Sequence, residues 1–298
     1  MNEIIKKFAI VILNYNSINE TINCYNSIKK LNKFINVIIV DNNSSDNSEE
    51  LLKKIETKEN TKIIFNRKNE GYAAGNNIGL KYIYSTLKEV EVAFIMNPDI
   101  IIDKLNVFFE LYNTLTADRQ LGAITSLTIY NGKLNFPNDC CWKMLENNSV
   151  YINGSLLGKI KKQDLKYYEL DINNDNIAYV DVIQGCFFGI KMDVAKKIDF
   201  LDESTFLYCE EQLMARRLKK HKFKVGVLIS TYIHHNHYEK DKELINKKNK
   251  IKHLKYLKES RKVIINKYLE KSKIFKFYAS FFLDFDYYLK TILIKIGF

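Results

Sequence analysis

Short apolar runs and amphipathic stretches alternate along the first hundred residues. FAIVILNYN (Phe8 to Asn16), NVIIVDNNSSD (Asn36 to Asp46), TKIIFN (Thr61 to Asn66) and EVAFIMNPD (Glu91 to Asp99) are each β-branched and apolar, then stopped by Asn or Asp. Between them, NETINCYNSIKKL and SEELLKKIE carry apolar residues at helical spacing, the second opened by Ser48, a residue suited to cap the helix behind it. Buried strands alternating with helices predict an α/β chain whose mostly parallel sheet is covered on both faces. Ligands of such sheets bind beyond the carboxyl ends of the strands. Here those ends carry Asn14, Tyr15 and Asn16; Asp41, Asn42 and Asn43; Asn66 and Arg67; Asn97 and Asp99. Any one of them is what a turn requires. Four strands of one sheet, however, would deliver amides, carboxylates and an aromatic ring to a single edge.

After the third strand, NEGYAAGNNIGL spaces Gly71, Gly75 and Gly79 by four. It is neither a G-x-G-x-x-G fingerprint nor a Walker loop. Glycines at this spacing share one side of a helix, where they serve close packing on the sheet or approach to a ligand.

Composition narrows the picture. The chain has 298 residues, 46% of them hydrophobic, enough for one large or two modest folded units. Its five cysteines are odd in number and form no C-x-x-C pair, which suggests neither a disulfide framework nor a zinc knuckle and fits a reducing cytosol. The N-terminal apolar run is too short for a signal-peptide core and reads as a first buried strand; no uninterrupted stretch of about twenty apolar residues would span a bilayer. The net charge of +11 is compatible with anionic partners, or with a solvated surface in a chain rich in Lys, Asn and Ile. No nucleic-acid reader motif accompanies it, and the basic residues of the α/β part do not gather around aromatic platforms, so nucleic acid is not an expected partner.

Taken in order, VILNYN, VDNNSSD, NEGYAAGNNIG and NPD resemble the nucleotide-binding half of the family 2 glycosyltransferases, most of all the rhamnosyltransferase-type branch that builds bacterial surface polysaccharides. GCFFGIKMDVAKKIDFLDESTFLYCEEQLMARRLKKHKFKV is similar to that family's acceptor-side block. The likeness covers roughly residues 8 to 238, with a loose middle from about 105 to 180. It implies a GT-A fold: a catalytic domain over 1–238, divided into a nucleotide-sugar half (1–103) and an acceptor half (104–238), followed by a helical extension over 239–298.

The resemblance also implies site roles. Asp99 would be the remaining acid of a D-x-D motif, with Asn97 in place of the first, and would hold Mg²⁺ or Mn²⁺ against the donor diphosphate. A hard cation there stabilises the charge that develops on the leaving phosphate. Tyr15 and Asn16 would lie by the nucleobase and Asp41 by base or ribose, while Asn76 and Asn77 would face the nucleotide or its sugar. Asn14, Asn43, Gly71, Gln184 and Gly185 would complete the substrate groove, and Asp46 would cap a turn. In STYIHHNHYEK, His234 aligns best with a histidine that completes the metal site and His235 next, with His237 close by; a loop of exposed histidines is the alternative. The base that takes the acceptor proton would be Glu211 ahead of Glu210. The other reading of this acidic pair is a helix N-terminus favouring carboxylates, with Arg216 and Arg217 as counterions. One base and direct displacement imply inversion. The donor implied first is dTDP-rhamnose, then a UDP-hexose; the acceptor is a glycan or lipid-linked glycan, in a groove lined by GCFFG and the 105–180 region. A non-catalytic nucleotide-sugar-binding relative is the competing class.

The last sixty residues lie outside the resembling block. A lysine-faced helical pattern precedes IFKFYASFFLDFDYYLKTILIKIGF, aromatic but interrupted by Asp284, Asp286 and Lys290. Two readings stand: an amphipathic pair resting on an anionic membrane, which would place this cytoplasmic protein on the inner face of a bacterial plasma membrane, or a helical pair packed on the catalytic domain or on a second copy in a homodimer.

Overall fold

The structure is a computed structural model, and it describes residues 2–56, 60–160, 170–235 and 246–297. Along the chain run α1 (Asn2–Lys6), β1 (Phe8–Asn14), α2 (Ile18–Leu31), β2 (Asn36–Asp41), α3 (Ser48–Ile55), β3 (Thr61–Phe65), α4 (Tyr72–Thr86), β4 (Val92–Met96) and β5 (Ile100–Ile101). Then come α5 (Asn106–Ala117), β6 (Leu121–Tyr130), β7 (Lys133–Leu134), β8 (Cys141–Trp142), α6 (Ser149–Ile152) and α7 (Leu156–Ile160). They are followed by β9 (Ile177–Val180), β10 (Val182–Ile183), β11 (Phe187–Lys191), α8 (Met192–Lys197), α9 (Glu210–Lys220) and β12 (Lys224–His235). α10 (Lys247–Val263), a π-helical turn (Ile264–Tyr268) and α11 (Lys273–Ile296) close the chain.

The main sheet has the order β3-β2-β1-β4-β11-β6-β12-β5. β1 pairs in parallel with β2 and β4, as does β2 with β3 and β6 with β12. β11 runs antiparallel between β4 and β6, which puts Gly185 and Cys186 at the same edge as the carboxyl end of β4. The four runs visible in the sequence are thus the four parallel strands of the first half; β1, β2 and β4 are buried almost throughout as two-sided strands must be, and β3, at the sheet edge, only in part.

Alternation along β1 divides the core. Phe8, Ile10 and Ile12 enter one cluster with Phe94, Phe108 and Phe187; Ala9 and Val11 enter the opposite one with Val40, Leu80 and Ile95. The small residues admit α4. A Cβ on Gly75 would stand 2.5 Å from Leu13, and one on Gly79 2.6 Å from Val11, so these two glycines serve helix-to-sheet contact. Gly71 differs. It has φ +103° and its missing Cβ would lie 2.3 Å from the carbonyl oxygen of Phe206. We expect Gly71→Ala to destabilise the fold by about 2–4 kcal/mol, from left-handed strain plus a backbone clash that no rotamer relieves; a chemical-denaturation midpoint equal to wild type would contradict this.

A third cluster joins the C-terminal helices to the rest: Ile264, Ile265, Leu269, Ala279 and Leu283 pack with Leu145, Val150 and Leu213. The helical pair therefore rests on the α/β body through one face. Residues 236–245, which include His237 and the expected boundary at 238/239, lie outside the described residues.

Candidate active site

The parallel register of β1 and β2 sets Asn14 beside Asp41. Asn14 Nδ2 donates to Asp41 Oδ1 at 2.7 Å and lies 2.9 Å from Ser48 Oγ, while its Oδ1 accepts from Thr21 at 2.7 Å. Fully buried, Asn14 ties two strand ends together and has no polar atom left for a donor, contrary to expectation. Ser48 likewise serves this knot: Asn47 is the cap position, and Asp46 accepts the Ser48 N–H at 3.0 Å, as a turn-capping residue does. Asp41 is nearly buried and also accepts the Ser44 N–H at 3.0 Å. Asn42 spans to Asn66, to Asn69 and to the Gly71 carbonyl, joining β2 to the head of α4. Tyr15, Asn16 and Asn43 are the exposed groups at this edge, and the side-chain oxygen of Asn16 accepts the Ser45 N–H at 2.7 Å. Both asparagines are left-handed, at φ +51° and +61°, a conformation their side chains tolerate.

Asn76 and Asn77 lie on the first turns of α4. Both are buried. Asn76 Nδ2 donates back to the Tyr72 carbonyl, and Asn77 bonds the Leu201 carbonyl, the Leu201 N–H and the Glu203 carboxylate, clamping the 201–203 segment. The amide oxygen of Asn76 has no hydrogen-bond partner among the described residues.

β4 ends at Met96, and the Asn97 N–H donates to the Cys186 carbonyl at 2.8 Å, fastening the NPD turn to the GCFFG strand. Asp99 Oδ2 meets His235 Nε2 at 3.0 Å. Adjacent residues of a strand point to opposite faces, so His234 turns the other way and pairs with Asp103 at 3.2 Å. The expected order of the two histidines is thereby reversed. Tyr130, opposite His235 in the β6–β12 register, lies 4.5 Å away ring to ring. Among the described residues no group of three or more His, Cys, Asp and Glu side chains gathers as a metal cage. Asp99 and His235 nonetheless fit a cation that takes most of its ligands from a diphosphate and water, and the imidazole suits Mn²⁺ better than Mg²⁺.

A cavity of about 250 Å³ opens beside this turn, lined by Asn97, Gln184, Gly185, Glu210 and Glu211. Its aromatic walls, Tyr72, Tyr130, Trp142 and Tyr208, escaped the sequence reading. Trp142, the one tryptophan of the chain, stands in a segment without periodicity. Tyr72 follows Gly71 directly, and its hydroxyl donates to the Gly185 carbonyl at 2.5 Å. Gln184 is buried and engaged with Thr125 and Thr128. A larger cavity, about 640 Å³, lies at the opposite edge around Glu91 and Lys191, where the strands begin rather than end. The convergent acids are in the smaller one.

Two consecutive left-handed residues, Tyr208 and Cys209, break the chain immediately before α9 and set Glu210 and Glu211 in its first turn. Strain of this kind concentrates at sites of function. Arg216 turns instead to the Leu145 carbonyl and Arg217 to Asp202 at 3.1 Å, so the arginines are not the counterions of the acidic pair. Glu210 is buried, and burial followed by the charge of Glu211 holds its pKa well above the ordinary carboxylate range; burial raises Glu211 as well. The charge of Asp99 reaches the same place, since it and Glu211 both raise the Tyr72 and Cys186 pKa values, behind burial in each case. Folded carboxyl pKa values raised above the unfolded ones stabilise the fold at low pH, and this contribution is lost as pH climbs from about 4.3 through the folded values. We expect the melting temperature to fall from pH 5 to 9, and Glu210→Gln to flatten that fall; equal slopes for the two proteins in a calorimetric pH series would refute it.

A ten-stranded mixed sheet, parallel in its first half and covered by helices on both faces, is the architecture of the GT-A class of nucleotide-sugar transferase folds. Solved structures share the architecture. The chain is similar to GalNAc-T7 with UDP, GalNAc and Mn²⁺ (TM-score 0.58, 14% identity, 78% of this chain and 44% of that one). It is similar to the mannosyltransferase PcManGT of Pyrobaculum calidifontis in complex with GDP-Man and Mn²⁺ (0.57, 11%, 97% and 73%) and to residues 1–349 of S. aureus TarS with UDP-GlcNAc (0.52, 13%, 98% and 73%). The chain belongs to glycosyl transferase family 2, whose model matches residues 9–198. Among curated proteins it is 26% identical over 220 residues to the low-salt glycan biosynthesis hexosyltransferase Agl10 of Haloferax volcanii, covering 73% of this chain and only 63% of that relative's length.

Proposed function

We propose that the chain transfers a hexosyl or deoxyhexosyl group from a nucleoside diphosphate to a hydroxyl of a glycan or lipid-linked glycan, with inversion. What carries this reading is the meeting of Asn97, Glu210 and Glu211 in one cavity, with the Asp99–His235 pair on the adjoining turn. Glu211 accepts the acceptor hydroxyl proton; the oxygen forms a bond to the anomeric carbon from the face opposite the diphosphate; the carbon–oxygen bond to phosphate breaks and its electron pair leaves with the diphosphate. Attack from the opposite face is what inverts the centre. A divalent cation held by Asp99 and His235 would act as a Lewis acid toward the departing diphosphate. The neighbours solved with Mn²⁺ and with UDP, UDP-GlcNAc or GDP-Man support this reading, as does the relative that names glycan biosynthesis. Two aromatic rings, Tyr72 and Trp142, suit a cavity that receives the apolar face of a sugar ring.

Donor choice depends on pocket contacts, so dTDP-rhamnose is tested first and UDP-hexoses second. The experiment is nucleoside diphosphate release from each sugar nucleotide, paired with thermal shifts by dTDP, UDP, GDP and CMP with and without Mn²⁺, since a ligand of the folded state raises its melting temperature. One nucleotide should stand out in both readouts. No shift and no release from any of them would overturn the proposal.

A further inference from the structure

α11 has two faces. Inward, Ala279 and Leu283 are buried, Tyr151 packs on Phe275 and Phe282, and Asp286 accepts the Leu156 N–H at 2.8 Å. Outward, Ile274, Phe277, Tyr278, Phe281, Phe285 and Tyr288 are each between 52% and 70% exposed, and Ile292 and Ile296 continue the line. At 100° per residue these positions fall within an arc of roughly 100°, so they form one unbroken apolar stripe along a helix about 36 Å long. A row of exposed aromatic side chains of this length costs solubility and needs a partner.

Charge says which partner. Residues 247–296 contain fourteen Lys and Arg against four Asp and Glu, so they carry +10 of the chain's +11. Lys271 and Lys273 at the start of α11 and Lys295 at its end are exposed beside the stripe. A second copy seated face to face would set one strongly basic segment against another, a repulsive arrangement. An anionic lipid surface reverses that sign and accepts the aromatic rings. Among the described residues no helix is long and apolar enough to cross a membrane, so α11 would lie in the surface rather than pass through it.

We propose that the outer face of α11, with the lysines of α10 and α11, docks this chain on an anionic phospholipid surface. α10 is bonded to the loop that lines the active-site cavity: Ser260 donates to the Leu207 carbonyl at 2.8 Å, and Tyr208 Oη and His253 Nδ1 lie 2.5 Å apart. Docking through this pair thus fits an acceptor carried on a lipid, and in that respect alone it rests on the transfer reaction proposed above.

The test is cosedimentation of the full chain with phosphatidylcholine vesicles, with and without phosphatidylglycerol. The protein should pellet with the anionic vesicles, and less so in high salt. Combined Phe277→Ser, Phe281→Ser and Phe285→Ser should lower the partition coefficient on the order of tenfold or more, with circular-dichroism melting and donor hydrolysis unchanged. Lys271→Glu with Lys273→Glu should weaken binding to anionic vesicles only. Wild-type protein left in the supernatant, or a triple variant that pellets like wild type, would overturn the proposal. So would a wild-type dimer in light scattering that the triple variant dissolves while neither binds vesicles, since a second copy would then cover the stripe. A chain that binds vesicles yet hydrolyses no donor would count against the transfer reaction and leave the docking intact.

Discussion

Glu211→Gln is expected to stop transfer and leave the donor bound. Glutamine keeps the volume and the hydrogen-bonding reach of the side chain but cannot take up a proton, so the substitution separates shape from basicity. A positioned general base contributes about 10²- to 10⁴-fold, and turnover should fall within that range. Calorimetric donor affinity should stay within about twofold, because that fold-change is worth only about 0.4 kcal/mol and no binding charge at the diphosphate is lost. Glu210→Gln is the informative partner. Glu210 is buried, and burial followed by the charge of Glu211 helps keep it protonated. Interacting carboxyls titrate as a pair, so a neutral amide at 210 leaves Glu211 as the sole titrating group. The expected result is a modest loss of turnover with the acidic limb of the pH–rate profile little displaced, because Glu210 is still uncharged where Glu211 titrates and burial, not Glu210, raises Glu211. Should Glu210→Gln be the dead variant while Glu211→Gln retains transfer, the two roles are exchanged. Glu211→Asp adds a further check: withdrawing the carboxylate by about one methylene should leave partial activity, since reaction geometry responds to displacements near 1 Å.

The first half of the fold was legible because its signals are local. A two-sided strand is apolar through its middle, and β1, β2 and β4 are; Gly75 and Gly79 share one side of α4 and leave room there for Leu13 and Val11 of β1. The strand-end asparagines marked the functional edge, yet their individual fates were not readable. Asn14 faces inward because parallel register places it against Asp41, whereas Asn16 and Asn43 turn through left-handed conformations into solvent. The histidines illustrate a harder limit. β12 pairs with β6 through Leu228 and resumes at Tyr232, so an irregularity of the strand decides which of His234 and His235 meets Asp99. Counting alternate residues along the sequence cannot see such a shift. Of the cavity walls, Tyr130 ends β6, while Asp139 and Trp142 come from a stretch without a clear period, brought together by contacts distant in sequence.

Asp99→Ala should abolish the metal-dependent part of donor binding. With asparagine at 97, the NPD turn offers one carboxylate where the family's usual motif offers two, and its partner His235 is neutral whenever it ligates a metal. Removing Asp99 leaves a lone imidazole, which holds a hard divalent cation poorly in water. Donor affinity in Mn²⁺ should therefore fall on the order of 100-fold, about 2.7 kcal/mol. Affinity measured in a chelator should hold or rise slightly, because one negative charge has left the neighbourhood of the diphosphate. That opposite movement distinguishes a lost ligand from a damaged fold, which would weaken binding under both conditions. His235→Ala should show the same pattern more weakly, and His234→Ala should not, since His234 faces Asp103. Asn97→Asp provides the converse: a second carboxylate on the same turn, facing the same cavity, should tighten Mn²⁺-dependent binding. Unchanged calorimetric affinity of Asp99→Ala in Mn²⁺ would mean that the diphosphate is held elsewhere, and the reading of this sheet edge as the donor site would fall with it.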